Sequence, residues 1–204
     1  CGNGALCATR LATLIELAPA NGEVRFATLV GIHSGRVETG RPQICLPDCE
    51  LPREIPQTRT DPSEKHPFLV NPSVPHLVLQ VERLEAVELE RRGPPLRGDP
   101  ETGEGGANVN WVAAASDGSF RMRTFERGVE GETLACGTGA VACAIVLEQL
   151  GLTRPPVRIW TRSGLPLDIG FERTRSAITS ITLAGEGRLV YRGVVGELAN
   201  HTKA

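Results

Sequence analysis

The sequence predicts a mixed α/β fold in which each half packs one helix on a curved, mostly antiparallel sheet. Two observations indicate this fold class. Residues 1–5 read Cys-Gly-Asn-Gly-Ala and residues 136–140 read Cys-Gly-Thr-Gly-Ala, and each copy opens an apolar run with helical spacing. Short strand-like runs fill most of the remaining chain, and its 23 glycines and 15 prolines supply the turns between them.

The first half should open with a helix that ends before Pro19. Strands are then predicted over 23–30, 31–39 and 43–46, because glycines separate these runs. The proline-rich stretch over 47–67 is interpreted as a domain boundary or linker. Four apolar residues recur at helical spacing in the first helix: Leu11, Leu14, Ile15 and Ala18.

The second half should alternate short strands with helices. Asp117 and Gly118 form a typical hairpin turn between strands over 108–115 and 119–126. The second cysteine helix follows this hairpin. The other elements predicted here are a strand over 77–81, a polar helical stretch near 84–92, and closing strands over 157–161, 165–171, 177–183 and 188–195.

Charge and hydropathy exclude two classes of partner. Lysine and arginine total 22 against 24 aspartates and glutamates, so no basic field would attract nucleic acid or an anionic membrane. The longest apolar run, over 140–147, is far shorter than the roughly 18 residues that a membrane-spanning helix needs. We therefore expect no nucleic acid partner and no membrane span.

Six cysteines are expected to be free thiols, because the composition suits a cytoplasmic protein. Cys7 and Cys143 fall in apolar helical runs and are predicted to lie in the core. Cys45 and Cys49 should lie at strand ends or in a loop without special chemistry. No Cys-x2-Cys pair signals zinc, but a zinc-binding or lipid-anchored structural domain stays an alternative.

Cys1 and Cys136 are candidates for chemistry, because the glycines after each cysteine let the chain turn tightly into a helix. The unpaired N–H groups at such a helix start bind anions and favour thiolate over thiol. Two opposed cysteines suit stereoinversion, in which one thiolate removes a proton and the other thiol returns one to the opposite face. No metal or organic cofactor is then required. A binding protein that uses the same helix starts without turnover stays an alternative.

Several motifs resemble those of the diaminopimelate epimerase family. Residues 1–7 read Cys-Gly-Asn-Gly-Ala-Leu-Cys, and residues 126–128 read Glu-Arg-Gly ahead of Gly-Glu-Thr-Leu-Ala-Cys-Gly-Thr-Gly at 131–139. Pro-His at 75–76 and Asn-Val-Asn at 108–110 also fall in the family's order. The resemblance implies interconversion of LL- and meso-2,6-diaminopimelate in lysine biosynthesis, without pyridoxal phosphate.

The resemblance implies a role for each matching residue. Cys1 and Cys136 would be the two acid/base cysteines, with His76 and Glu126 as the polar pair that supports the thiols. An arginine can pair with a substrate carboxylate and a glutamate with an ammonium group. The implied substrate contacts are Gly2, Asn3, Asn108, Glu126, Arg127, Gly137 and Thr138. His33, His66 and His201 lie outside the motifs and are interpreted as having no role.

The resemblance also implies the organisation of the protein. Two similar domains would be related by a pseudo-twofold axis, with residues 1–46 and 190–204 in one domain and residues 47–189 in the other. The family carries roughly seventy residues before its first cysteine motif, so we expect this chain to be an inactive piece of a longer enzyme. The expected state is a cytoplasmic homodimer whose partner is the small molecule diaminopimelate.

One departure from the family pattern leaves the substrate open. The family usually reads Gly-Asn-Pro-His, whereas residues 71–76 read Asn-Pro-Ser-Val-Pro-His. A substrate-binding asparagine is therefore missing before the Pro-His pair, and Asn71 is a candidate replacement. A related two-cysteine racemase of the proline racemase type is the alternative enzyme, although its first motif usually reads Met-Cys-Gly-His and Asn3 favours the epimerase.

Overall fold

The computed structural model describes residues 1–18, 22–28, 31–194 and 196. Within them lie three α-helices: α1 (Gly2–Leu14), α2 (Leu89–Arg97) and α3 (Gly137–Gln149). Short 3-10 turns cover Leu84–Ala86 and Pro100–Thr102. The strands are β1 (Glu23–Thr28), β2 (Gly31–Glu38), β3 (Arg41–Cys45), β4 (Cys49–Glu50), β5 (Arg53–Glu54), β6 (Lys65–Val70), β7 (His76–Gln80), β8 (Asn108–Ala114), β9 (Phe120–Glu126), β10 (Gly131–Thr133), β11 (Val157–Trp160), β12 (Pro166–Arg173) and β13 (Ala177–Ala184).

These strands form one sheet in the order β1-β2-β3-β13-β12-β11-β9-β8-β7-β6-β5, with β10 beside β9 and β4 beside β13. Its pairings are antiparallel except for β7 with β8 and β11 with β9. A helix that begins after a cysteine lies in each half. The mixed α/β fold class that the sequence predicted is confirmed.

Helix α3 forms the centre of the larger core. Residues 139–147 of this helix are all buried, as expected for a helix that is apolar on every side. Val78, Met122, Ile159 and Ile169 pack around it from the sheet. A second core lies on the opposite face of β7, β8 and β9, where the buried residues include Leu77, Leu79, Trp111, Phe125, Leu89 and Leu96.

Helix α1 packs less completely. It buries Leu6 and Thr9, and Thr9 approaches β2 because Gly35 has no side chain: a Cβ there would lie 2.6 Å from the Thr9 hydroxyl oxygen. The stripe of Leu11, Leu14 and Ile15 is exposed. The prediction that Cys7 lies in the core is wrong, since Leu6 and Thr9 carry the buried face and Cys7 points away from it. Cys143 is buried, as predicted.

Two segments differ from their predicted structure. The stretch over 47–67 is built into the sheet, because β4 pairs with β13, β5 pairs with β6, and Ile55 is fully buried. The predicted strand over 188–195 is absent from its described part, 188–194. Instead, β13 pairs with β3 and joins the two halves. The division into two domains stays a prediction; residues 195 and 197–204 of the proposed first domain lie outside the described residues.

A buried ion pair between Arg92 of α2 and Glu64 connects this helix to the sheet at the second core. The Glu64 side chain is 3% exposed and accepts hydrogen bonds from Arg92 Nη2 at 2.6 Å and Trp111 Nε1 at 2.9 Å. The backbone N–H of Asp61 also donates to this carboxylate at 2.8 Å. All partners of Glu64 are donors, so its negative charge is fully compensated.

We predict that Glu64→Ala destabilises the fold by roughly 3–5 kcal/mol, because the buried Arg92 guanidinium keeps only its longer ion pair with Asp61, at 3.3 Å, and the Trp111 N–H loses its acceptor. Urea denaturation followed by circular dichroism measures this change. The matched control is Glu82→Ala, which removes the exposed Lys65–Glu82 pair and should leave the midpoint nearly unchanged. Equal losses in the two variants would contradict the interpretation.

Candidate active site

The N-termini of α1 and α3 meet at a pair of glycines. Cys1 and Cys136 are the residues before each helix, and the first helical hydrogen bonds are equivalent: Ala5 N–H to Cys1 C=O at 3.1 Å, and Ala140 N–H to Cys136 C=O at 3.0 Å. A Cβ added to Gly137 would lie 3.6 Å from the Gly2 Cα. The two helix starts therefore lie next to each other at these glycines.

A side-chain hydrogen bond of Asn3 connects the start of α1 to the residue before Cys136. The Nδ2 of Asn3 donates to the carbonyl oxygen of Ala135 at 3.1 Å, across 132 residues of chain. Leu183 of β13 packs beneath, since a Cβ on Gly2 or Gly137 would approach its Cδ2 to 3.2 or 2.8 Å respectively. The repeated motif thus places the two cysteines on the two sides of one backbone contact.

A cavity of about 550 Å³ opens beside Cys1. It joins the start of α1 to Thr138 at the start of α3. Cys1 is exposed, whereas Cys136 is only 7% exposed. The lining residues are Cys1, Gly2, Ala5, Phe26, Thr28, His33, Ile44, Leu46, Pro47, Ser73 and Thr138.

Burial raises the pKa of the Cys136 thiol above its ordinary value, and the negative charge of Glu126 acts in the same direction. The backbone N–H of Gly139 and the hydroxyl of Thr138, 3.8 Å from the sulfur, oppose the shift. The sequence predicted an acidified thiol at this helix start, but at Cys136 desolvation is the larger effect. This thiol is protonated at neutral pH.

His76 lies fully buried at the start of β7. Its Nε2 is 2.9 Å from Thr138 Oγ1, and its Nδ1 is 3.0 Å from Asn110 Nδ2. Burial lowers the pKa of His76 to about 3, and the positive charge of Arg127 contributes to this shift. His76 therefore acts as a neutral hydrogen-bonding group, and it reaches the Cys136 region through Thr138.

Asn108 and Arg127 are joined to each other and to the histidine. Asn108 Oδ1 accepts from the backbone N–H of Arg127 at 2.8 Å, and its Nδ2 lies 3.4 Å from His76 Nε2. Arg127 Nη1 donates to the carbonyls of Gly105 and Gly106 at 3.1 and 2.9 Å. Glu126, the last residue of β9, is half-buried.

The structure thus gathers the predicted site residues into one region around the two helix starts. Of these residues, Cys1, Gly2 and Thr138 line the cavity. Asn71 is exposed after β6 and does not line it. His33 was interpreted as having no role, yet it lines the cavity and stacks on Phe26 with ring centroids 5.8 Å apart. His66 is exposed, and His201 lies outside the described residues.

Asn110 and Thr124 form the layer behind His76. Sequence reasoning placed Asn110 in the Asn-Val-Asn motif without giving it a role, and it missed Thr124. Asn110 Oδ1 accepts from Thr124 Oγ1 at 3.0 Å, and the two residues are opposed in the β8–β9 register. A signal was present, because residues two apart on a strand share a face and Asn110 follows Asn108 by two. Recognising it required the pairing of β7 with β8, which sets Asn108 beside His76.

Among the described residues, no group of three or more histidine, cysteine, aspartate and glutamate side chains could hold a metal ion. None of the helices in this part of the chain is long and apolar enough to cross a membrane.

We predict that His76 makes the fold sensitive to acid. Its pKa is lowered in the folded state, so below its ordinary value of 6.5 the unfolded chain binds a proton that the folded chain excludes. Stability should fall by roughly 1.4 kcal/mol per pH unit between about pH 6 and 4, relative to His76→Gln. Urea titrations across this range measure the slope. His66→Gln is the control and should keep the parental slope; a parental slope in His76→Gln would contradict the prediction.

Comparison with known proteins places the chain in a family. Residues 68–182 match the Diaminopimelate epimerase family. The diaminopimelate epimerase of Gemmatimonas aurantiaca is 40% identical over an alignment of 207 residues, gaps included. The alignment covers 97% of this chain and 74% of the relative. That of Aquifex aeolicus is 40% identical over 200 residues, with 97% and 70% covered.

Solved structures share the fold at lower identity. A hydroxyproline epimerase from Agrobacterium vitis superimposes with a TM-score of 0.66 at 18% identity, covering 89% of this chain and 62% of that one. A phenazine biosynthesis PhzC/PhzF protein from Clostridium difficile gives a TM-score of 0.66 at 17% identity, covering 97% and 73%. The motifs, the paired helix starts and the 40% identity over nearly the whole chain lead to one conclusion. The chain belongs to the diaminopimelate epimerase family.

Proposed function

We propose that this protein is a cofactor-independent amino acid epimerase that interconverts LL- and meso-2,6-diaminopimelate by proton transfer between two cysteines. The observation that carries the proposal is the contact between Gly2 and Gly137, which brings two helices, each begun by a cysteine, to one place. The family supports the substrate, because the relatives from Gemmatimonas aurantiaca and Aquifex aeolicus are diaminopimelate epimerases.

The reaction needs one thiolate and one thiol at a time. One cysteine, as thiolate, takes the proton from the α-carbon, and the other gives its own proton to the opposite face of the resulting carbanion. Configuration inverts and each sulfur ends in the other protonation state, so no redox step is involved. Burial keeps Cys136 protonated, which suits it to give a proton, while the exposed Cys1 would take one.

The surrounding groups would bind the two ends of the substrate. The N–H groups of the first turns of α1 and α3, at Gly2, Asn3, Gly137 and Thr138, would hold the carboxylate beside the reacting carbon. At the other end, Arg127 would pair with a carboxylate through Nε and Nη2, since its Nη1 is occupied by two backbone carbonyls. Glu126 would accept from an ammonium group, and Asn108 would contribute its amide.

We further propose that the enzyme works as a homodimer in the cytoplasm. The nearly balanced charge, −2 at neutral pH, supports a small-molecule substrate rather than a nucleic acid or membrane partner. Light scattering of the purified protein measures the oligomeric state.

The test is incorporation of solvent deuterium at the α-carbon of LL-diaminopimelate by the full-length protein that carries this sequence, followed by NMR. We predict that Cys136→Ala slows epimerisation by about 10²- to 10⁴-fold, because one face of the carbon loses its proton donor. Cys7→Ala is the matched control, since Cys7 is exposed outside the cavity, and should retain parental turnover.

Parental turnover in Cys136→Ala would overturn the two-cysteine mechanism. Exchange on proline with none on diaminopimelate would assign the protein to the alternative racemase reaction. Absence of exchange on either amino acid would overturn the enzymatic proposal and favour a protein that only binds anions.

A further inference from the structure

Asn110 is a fully buried amide in the middle of β8, between His76 and Thr124. Among the hydrogen bonds of the described residues, none joins Asn110 to the Cys136 sulfur. His76 and Thr138 connect the two groups. We propose that Asn110 is a positioning residue: it holds the His76 proton on Nε2, and this turns the Thr138 hydroxyl hydrogen towards the Cys136 sulfur.

The orientation of the Asn110 amide is determined by its neighbours. Its Nδ2 lies 3.1 Å from the carbonyl oxygen of Leu77, which can only accept a hydrogen bond. Its Oδ1 accepts from the Thr124 hydroxyl at 3.0 Å. A flipped amide would set two oxygens against each other at Leu77, so the NH2 group faces β7.

The second N–H of this group decides the tautomer of His76. Nδ2 of Asn110 is 3.0 Å from His76 Nδ1, and an N–H on that ring nitrogen would oppose an N–H of the amide. Nδ1 is therefore the acceptor. A neutral imidazole has a single N–H, which must then lie on Nε2.

The hydrogen on Nε2 points to Thr138. The Nε2–Oγ1 distance is 2.9 Å, whereas the Nδ2 of Asn108 is farther from Nε2, at 3.4 Å. The shorter contact is the hydrogen bond, and in it the Thr138 oxygen accepts. The hydroxyl hydrogen of Thr138 is then free to donate to the Cys136 sulfur, 3.8 Å away.

Gly139 supplies an independent observation that these groups form one unit. A Cβ on Gly139 would lie 2.5 Å from Asn110 Oδ1 and 3.3 Å from Cys136 Sγ. The first turn of α3 is therefore packed directly on both the amide and the sulfur. A side chain at this position would displace Asn110 from His76.

A hydrogen bond to sulfur stabilises thiolate relative to thiol. Asn110 would thus set how readily Cys136 gives up its proton, although it does not itself line the cavity and reaches the sulfur only through His76 and Thr138. This inference rests on the proposed function for its catalytic meaning, since it assumes that Cys136 exchanges a proton with the substrate. The arrangement itself can be tested without substrate.

The first measurement is the histidine tautomer in the unaltered protein, from the ring ¹⁵N shifts of labelled histidine, with His76→Gln to assign the signal. We expect His76 to carry its proton on Nε2 and not to titrate between about pH 5 and 8. A proton on Nδ1, or titration within this range, would overturn the proposal. This result requires no variant of Asn110 to fold.

The second measurement is the alkylation rate of Cys136 by iodoacetamide, read by peptide mapping. Asn110→Asp should move the His76 proton to Nδ1, because a carboxylate accepts, and should slow alkylation about tenfold, which corresponds to one pKa unit. Gln149→Glu, the same chemical change at an exposed position at the end of α3, should leave both readouts unaltered.

Coupling to Thr138 separates the proposed relay from a direct effect of charge. In a Thr138→Val background, Asn110→Asp should change the Cys136 alkylation rate by less than about twofold, because the hydroxyl that transmits the effect is gone. A full tenfold effect in that background would overturn the relay. If the unaltered protein shows the expected His76 tautomer and the expected Cys136 alkylation rates but no deuterium exchange on diaminopimelate, the proposed function is wrong and the relay is not.

Discussion

The contact between the backbones of Gly2 and Gly137 is the constraint on which the rest of the structure depends. Any side chain at either position would have to occupy the space between two helix starts that also rest on Leu183. Because the contact holds, the cysteines that precede the helices flank one junction. The pairing of β13 with β3 supports the same junction from the sheet, since Leu183 belongs to β13 and pairs with Ile44.

The two cysteines occupy different surroundings, although their five-residue motifs differ only at Asn3 and Thr138. Cys136 follows β10 into a helix that is buried on all sides, so desolvation dominates its titration. Cys1 begins a helix that buries only one narrow face and opens onto a cavity. The local motif therefore does not set how exposed each cysteine is; the packing of the helix that follows it does.

A buried polar layer accompanies the apolar core of the second half. His76, Asn108 and Asn110 lie on β7 and β8, whose other residues are almost entirely apolar, and Thr124 lies opposite Asn110 on β9. Buried polar groups are costly unless each finds a partner, and here each of the four has one within hydrogen-bond distance. Burial and the positive charge of Arg127 keep His76 neutral, and the network gives both of its ring nitrogens a hydrogen-bonding neighbour.

The sequence by itself determined the elements with strong local patterns: the two glycine-led helices, the Asp117-Gly118 hairpin and the chemical type of the site. It missed β4 and β5 within residues 47–67, because these strands are too short for a periodic signal and form only where β13 and β6 pair with them. Cys7 was misplaced because an apolar helix pattern does not show how much of the helix a neighbour covers. Only the tertiary structure decided the layer of Asn110 and Thr124 behind His76 and the place of His33 in the lining of the cavity. Those contacts join residues that lie far apart along the chain, and strand pairing rather than local propensity brings them together.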